Sequence, residues 1–320
     1  MDQPVIASPH PVPGQIAVPG TILRQGDRHK LSRPELLEFV RGASVIVSMF
    51  YNKIDAEVLD AAGPQLKGVC NYAVGYDNID LAACRQRGIK VTNTPGAVTE
   101  GTADIAWTLL LAAARGLIPA DRFARSPEYK EHGPLGITEF LGMDLTGRTL
   151  LIVGAGRIGY ATAVRSIGWG MRVLYVARAR HLDFELAPLA ARRVTLEEGL
   201  AEADVVSIHT PLTPETRHLF NTKTFGLMKS NAILINTSRG PVVEEAALVE
   251  ALKSGRIYAA GLDVFEFEPA VGRELAALDN VVLTPHIGSA ETKYRLIMTE
   301  MVSENAGAIL AGREPPNRIG

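Results

Sequence analysis

The chain has little of several things, and each shortage removes a class of protein. Among 320 residues there are two cysteines, Cys70 and Cys84. They form no CxxC pair and no zinc-type spacing, so a disulfide framework and a structural metal are not expected and a reducing compartment is. Net charge is only -2, from 33 basic and 35 acidic side chains. No electrostatic footprint for nucleic acid or an anionic membrane follows from that balance. No basic stretch followed by an apolar one opens the chain, which argues against a secretory signal. The longest apolar run, Ile105 to Ala114, contains Thr108 and stops at Arg115. It is about half of a membrane span, and a buried helix in a soluble, cytoplasmic protein is the expectation. Aromatic residues are sparse at 6%, but 47% of the chain is hydrophobic and 21% charged, close to the globular average and unlike disordered or fibrous chains.

What the sequence has is a rhythm. Apolar runs at Val5–Ala7, Val45–Met49, Lys67–Cys70 and Lys90–Thr92 alternate with helical patterns at Arg33–Arg41, Asp55–Ala62 and Asp80–Arg87. Short β-rich runs alternating with helices imply parallel strands joined by crossovers. Residues 11–30, rich in proline and glycine, break the rhythm and predict a poor or missing helix. A second series follows at Thr149–Val153, Arg172–Val176, Val205–His209, Ala232–Asn236, Gly261–Val264 and Val281–Thr284. Its mostly uninterrupted apolar runs suit a doubly wound sheet of about six strands, covered on both faces. Between the series lie a helix over Glu100–Leu117 and an aperiodic stretch, Arg122–Gly147; the tail, Glu291–Ala311, reads as one helix that returns to the first series. The expected architecture is therefore two Rossmann-like doubly wound α/β domains with a cleft between them. Residues 1–98 and 288–320 form one, discontinuous in sequence, and residues 99–287 form the other.

The strand Thr149–Val153 runs into Gly154-Ala155-Gly156-Arg157-Ile158-Gly159, which opens a helix. A GxGxxG string is specific only in this strand-to-helix context. Gly154 permits the turn, Gly156 lets backbone approach a pyrophosphate, and Gly159 lets helix and sheet pack closely. The helix N-terminus offers free N–H groups to the phosphates. The residue 21 positions after Gly156 is Ala177, where an NAD site usually carries an acid, and Arg178 and Arg180 follow. Without the carboxylate, a 2′-phosphate meets no repulsion and two arginines could pair with it. The expectation is NADP(H) ahead of NAD(H); the plainer alternative is that these arginines are only solvated.

Four polar groups stand at or just after late strand ends of the second series: Arg239, Asp263, Glu268 and His286. Taken singly, each has an ordinary explanation, a solvated acid or a satisfied core histidine. Together they supply what hydride transfer to a 2-oxo acid requires. A histidine can move the proton, a carboxylate can hold its ring, and a guanidinium can grip the substrate carboxylate and polarise the carbonyl. His286 is assigned as acid/base, Glu268 as its partner and Arg239 as substrate binder.

These strings resemble the D-isomer-specific 2-hydroxyacid dehydrogenase family over nearly the whole chain. The resemblance rests on Asn71–Asp80 (NYAVGYDNID), Val91–Pro95, the GAGRIG loop, His209–Thr216, the Arg239 segment, Asp263–Pro269 and Thr284–Ser289. Within the family the chain is most similar to glyoxylate/hydroxypyruvate reductases. The resemblance implies that Arg239, Glu268 and His286 are the catalytic set and that Asp263 orients the nicotinamide carboxamide. It implies substrate contacts from backbone N–H groups of Val74 and Gly75 and from Ser289. Further cofactor contacts would come from Thr102, Arg157, Ile158, Thr210, Pro211, Thr237 and Gly288. A homodimer through the second domain is also implied. The stretch Tyr129–Ile137 has no tryptophan where close relatives carry one or more, so the reach of an aromatic into a neighbouring subunit's pocket is not carried over. A formate dehydrogenase would carry Gln at position 268, and a phosphoglycerate dehydrogenase usually has an acid at the position of Ala177. A dinucleotide-sensing corepressor would keep the same catalytic residues, but no extended partner-binding segment is visible.

Overall fold

The computed structural model describes residues 3–319. The chain forms two compact units, one from the described parts of Met1–Val98 and Ser289–Gly320, the other from Thr99–Gly288.

In the first unit, strands β1 (Val5–Ser8), β2 (Ile22–Gln25), β3 (Val45–Met49), β4 (Gly68–Tyr72) and β5 (Lys90–Thr92) are parallel and lie in the order β5-β4-β3-β1-β2. A two-residue strand, Arg318–Ile319, closes the β5 edge antiparallel. The period of two along β3 sorts the core into two layers. Ile46 faces Leu36, Val58 and Leu59 from the helices Arg33–Phe39 and Ala56–Ala62. Val45, Val47 and Met49 face Met298, Val302, Ala306 and Ile309 of the helix Thr292–Leu310. That helix presses on the sheet so closely that a Cβ on Gly68 would lie 2.6 Å from Ile309. The proline-rich stretch forms no helix; it crosses over β3's second face with Ile16 buried there, and delivers β2.

In the second unit, seven parallel strands replace the expected six: β6 (Thr149–Val153), β7 (Arg172–Val176), β8 (Arg192–Arg193), β9 (Val205–Ile208), β10 (Ile233–Asn236), β11 (Ala259–Leu262) and β12 (Val281–Leu283). Their order is β12-β11-β10-β9-β6-β7-β8, which reverses direction between β6 and β9. In such sheets a ligand sits outside the carboxyl ends at that reversal. β6 and β9 are buried throughout, as a sheet with both faces covered requires. The helix Thr99–Ala114 covers one face, and a Cβ on Gly261 would come within 2.7 Å of Leu109.

Two expectations need correcting. The helix predicted to reach Leu117 stops at Ala114; Gly116, with φ of 55°, turns the chain into a separate helix, Leu117–Ala124. The stretch read as aperiodic holds part of that helix and another, Pro127–His132, with Phe123 against Tyr129, His132 and Phe140. Among the described residues no single helix is long and apolar enough to cross a membrane.

Candidate active site

In the second unit, β6 delivers the glycine loop as the sequence context requires. Gly154 has φ of 107°, and a Cβ there would lie 2.7 Å from the His209 carbonyl carbon. A Cβ on Gly159 would lie 2.3 Å from the Gly154 carbonyl oxygen. Both glycines are therefore demanded by the protein's own packing. Gly156 is different. It is extended, and a Cβ there would meet nothing within 4 Å. It caps the helix Arg157–Arg165, so the space beside it faces the N–H groups of that helix's first turn. At the ends of β9 and β10, the buried hydroxyls of Thr210 and Thr237 have no hydrogen-bond partner in the protein. A cradle open beside Gly156 and two orphaned hydroxyls fit a dinucleotide. Pro211 follows Thr210, and Ala155 is buried in the sheet-facing cluster.

Beyond β7, Ala177 is half-buried and Arg178 and Arg180 are exposed. Arg180 pairs with Glu185, whereas Arg193 donates to the Ala177 and Arg178 carbonyls at 2.9 Å each.

The strand ends bring the expected side chains together. Glu268 Oε2 lies 3.0 Å from His286 Nδ1, and Glu268 Oε1 accepts the Phe265 N–H at 3.0 Å. With Nδ1–H donated to the carboxylate, Nε2 becomes the nitrogen whose proton can be exchanged. Arg239 stands on extended backbone after β10, its carbonyl held by Asn236 Nδ2 at 3.0 Å and its Nη1 donating to the Ser238 carbonyl at 2.9 Å. The next residue must be glycine, because a Cβ on Gly240 would overlap the Phe265 carbonyl oxygen at 1.7 Å. That contact seats the Arg239 loop directly on the loop carrying Glu268.

Asp263 is buried, with 1% exposure. Its Oδ1 accepts from the Thr284 hydroxyl at 2.7 Å and the Ile287 N–H at 2.8 Å, and its Oδ2 accepts from the Gly288 N–H at 2.8 Å. Burial raises its carboxyl above the usual range, against these donors and the nearby His286. The wrapped turn holds His286 at φ of 55°, a left-handed conformation that a non-glycine residue keeps only when its surroundings impose it. Asp263 imposes it. The Thr102 hydroxyl donates to the Gly288 carbonyl at 3.3 Å and closes the far side of the turn. The resemblance offered Asp263 for a cofactor amide and not for this role; an acid directly after a strand's last paired residue was the available signal.

His209, at the end of β9, also escaped the sequence reading. Its Nε2 meets Ser207 Oγ at 2.9 Å, its Nδ1 is buried without a partner, and burial pushes the ring down to about 3.

In the first unit, Val74 and Gly75 follow β4. Three consecutive carbonyls there are held from within the protein: Ala73 by the Thr94 N–H at 3.0 Å, Val74 by Asn93 Nδ2 at 2.7 Å, and Gly75 by Asn71 Nδ2 at 2.7 Å. These peptides are trans, so each N–H points opposite to its carbonyl. The Val74 N–H is thus aimed away from Thr94, which holds the Ala73 carbonyl, and the Gly75 N–H away from Asn93, which holds the Val74 carbonyl. Asn71 is fixed in turn by the Ser48 hydroxyl at 2.8 Å. Ser289, in the same unit, gives its carbonyl to Arg295 Nε at 3.2 Å. Among the described residues no group of three or more His, Cys, Asp or Glu side chains could hold a metal.

Residues 107–288 match the profile of the D-isomer specific 2-hydroxyacid dehydrogenase NAD binding domain. A glyoxylate reductase of Thermococcus onnurineus is 52% identical over 297 residues, 92% of this chain and 87% of that protein. The chain belongs to the D-isomer specific 2-hydroxyacid dehydrogenase family. Within the family, a glyoxylate reductase of Pyrococcus horikoshii is 49% identical over 92% of this chain and 88% of its own length. Among solved structures, a Thermus thermophilus protein matches with TM-score 0.91 at 44% identity, over 99% of this chain and 100% of that one. The NADPH-dependent glyoxylate/hydroxypyruvate reductase of Sinorhizobium meliloti, solved with NADP and malonate, matches with TM-score 0.86 at 31% identity, over 100% of this chain and 97% of that one. The family places a nicotinamide dinucleotide domain on the unit that carries the glycine loop.

Proposed function

We propose that this enzyme reduces a short 2-oxo acid, glyoxylate or hydroxypyruvate, to the D-2-hydroxy acid, with NADP(H) preferred over NAD(H). The observation that carries the reading is the His286–Glu268 pair at 3.0 Å, beside an arginine loop seated on the glutamate's own loop. The cofactor, when bound, supplies the hydride. Gly154–Gly159, with Ala155, Arg157 and Ile158, would hold its pyrophosphate. Asp263 would orient its nicotinamide carboxamide, Thr102, Thr210, Pro211, Thr237 and Gly288 would make further contacts to the cofactor, and Ala177, Arg178 and Arg180 would meet its 2′-phosphate. Arg239 would pair with the substrate carboxylate and polarise the carbonyl. His286 would deliver the proton from Nε2, with Glu268 stabilising the charged ring. Val74 and Gly75 N–H groups, and Ser289, would grip the substrate from the first unit, which makes that unit the substrate domain.

The finer calls belong to this reading too. Leu117, Ile118, Leu135, Ile137 and Leu141 are exposed apolar side chains on one segment, Ile137 at 96%. Exposed apolar side chains on this segment support a homodimer through the second unit. Two buried, unpaired thiols, Cys70 and Cys84, support a reducing, cytoplasmic setting. A panel of 2-oxo acids assayed with NADPH and NADH at matched concentration tests the activity. Fastest turnover of glyoxylate or hydroxypyruvate with NADPH is expected. Slow turnover of every 2-oxo acid would overturn the reading, equal turnover with NADPH and NADH would overturn the cofactor preference, and equal losses of NADPH and NADH affinity in Arg178→Ala would mean that Arg178 does not read the 2′-phosphate.

A further inference from the structure

The two arginines after β7 are not equivalent. Arg180 lies side-on to Glu185, with Nε 3.0 Å from Oε2 and 3.2 Å from Oε1, and Nη2 also paired with Oε2. Glu185 is itself anchored. The hydroxyl of Tyr175, a fully buried residue of β7, donates to Glu185 Oε1 at 2.6 Å, and its oxygen accepts the His181 N–H at 3.0 Å. The glutamate side chain is 18% exposed and the arginine 69%, so the carboxylate is the fixed partner and the guanidinium the movable one. Among the described residues no carboxylate lies within ion-pair distance of Arg178, and Glu215 acts on it through charge alone. Arg193 stiffens the turn by gripping the Ala177 and Arg178 carbonyls. The turn that should welcome a 2′-phosphate therefore contains a built-in anion already paired with one of its cations.

We propose that Glu185 is a specificity-determining residue: a counter-charge that competes with the cofactor's 2′-phosphate for Arg180 and so limits the advantage of NADP(H) over NAD(H). The inference rests on the reading that this turn receives the 2′-phosphate. A side-on pair occupies the Nε and Nη2 edge of the guanidinium and offsets its charge, so a phosphate must displace the carboxylate to gain the full fork. Arg180 and then the Tyr175 hydroxyl hold the Glu185 carboxyl down to about 2, so the competitor stays ionised through the neutral range.

The test is calorimetric titration of wild type, Glu185→Gln, Arg180→Ala and the double variant with 2′,5′-ADP, which carries the phosphate, and 5′-AMP, which lacks it. Glutamine keeps an acceptor for Tyr175 and removes only the charge. Glu185→Gln should tighten 2′,5′-ADP by roughly three- to fivefold, the scale of one exposed ion pair released, with 5′-AMP unchanged. Arg180→Ala should cost more 2′,5′-ADP affinity in the Glu185→Gln background than in wild type. Unchanged or weakened 2′,5′-ADP with normal 5′-AMP would overturn the role of Glu185 alone. If Glu185→Gln also loses 5′-AMP, Arg180→Ala in wild type decides. A loss of 2′,5′-ADP affinity as large as that of Arg178→Ala means Arg180 was never withheld, and a small loss supports the competition. A wild type that binds both probes alike, unaffected by Arg178→Ala, overturns the NADP(H) reading and this inference with it.

Discussion

The two units share a fold class but organise their strand ends differently. In the second, charged side chains do the work: Glu268 meets His286, and Asp263 shapes the turn that carries His286. In the first, neutral groups do it: the Thr94 N–H and the Asn93 amide hold the Ala73 and Val74 carbonyls and so set the direction of the Val74 and Gly75 N–H groups. The difference teaches that one scaffold can present either titrating groups, suited to moving a proton, or fixed dipoles, suited to gripping an anion. On the proposed roles, His286 would act in the transition state and the first unit's N–H groups in binding, so damage to each unit should have a different kinetic signature.

The sharpest way to break the contrast is His286→Ala. It should lower kcat on the order of 10²- to 10⁴-fold, the range for a lost general acid; a normal kcat would remove His286 from the chemistry. Arg239→Lys comes next, because a point charge cannot replace a planar fork, and a loss in kcat/KM on the order of a hundredfold is expected. Normal kcat and KM would mean that Arg239 does not touch substrate. Asp263→Ala strands the Ile287 and Gly288 N–H groups and releases the left-handed His286. Denaturant titration should show a loss of about 2–4 kcal/mol, accompanied by a fall in kcat. An unaltered kcat would show that the turn keeps its shape unaided.

Asn93→Ala probes the other unit. Freeing the Val74 carbonyl loosens the Gly75 N–H, so KM should rise by roughly five- to twentyfold with kcat nearly unchanged, the mark of lost uniform binding. A kcat defect instead would blur the division between the units. Last comes His209, whose effect is confined to acid pH. Its folded value of about 3 lies below the usual value for histidine, so between the two the unfolded chain binds a proton that the folded chain refuses. Stability is lost as pH falls from about 6.5 towards that folded value. Thermal melts of His209→Asn should show a shallower acid loss than wild type, and parallel curves would assign the acid sensitivity elsewhere.

How much of this was legible depended on burial. Val45–Met49, Thr149–Val153 and Arg172–Val176 were expected with the bounds they have, because strands inside a covered sheet are continuous apolar runs. Ile22–Gln25, Arg192–Arg193 and Arg318–Ile319 were not expected. They are edge strands, short or polar, as edges tend to be, and nothing in their composition marks them. The strand expected at Gly261–Val264 is Ala259–Leu262. Alanines carry little strand signal, and the chain leaves the ladder just where Asp263 turns inward. At the candidate site, the types of side chain at the strand ends were readable, and so was the pairing of Glu268 with His286. The holding of the Ala73 and Val74 carbonyls was not, because Asn93 and Thr94 lie some twenty residues away in sequence and only the sheet brings them back.

One feature of the fold bears on how the molecule is made. The apolar face of β3 and β4 is covered by the helix Thr292–Leu310. On a ribosome, the strands of the first unit emerge long before that helix exists, while Thr99–Gly288 can complete its own core in the interval. The segment that begins first therefore finishes last, and a nascent chain carries an uncovered apolar sheet through most of its synthesis. A message cut short before the helix yields a finished cofactor unit tethered to an unfinished one, a product that chaperones and proteases can recognise by its bare β-sheet.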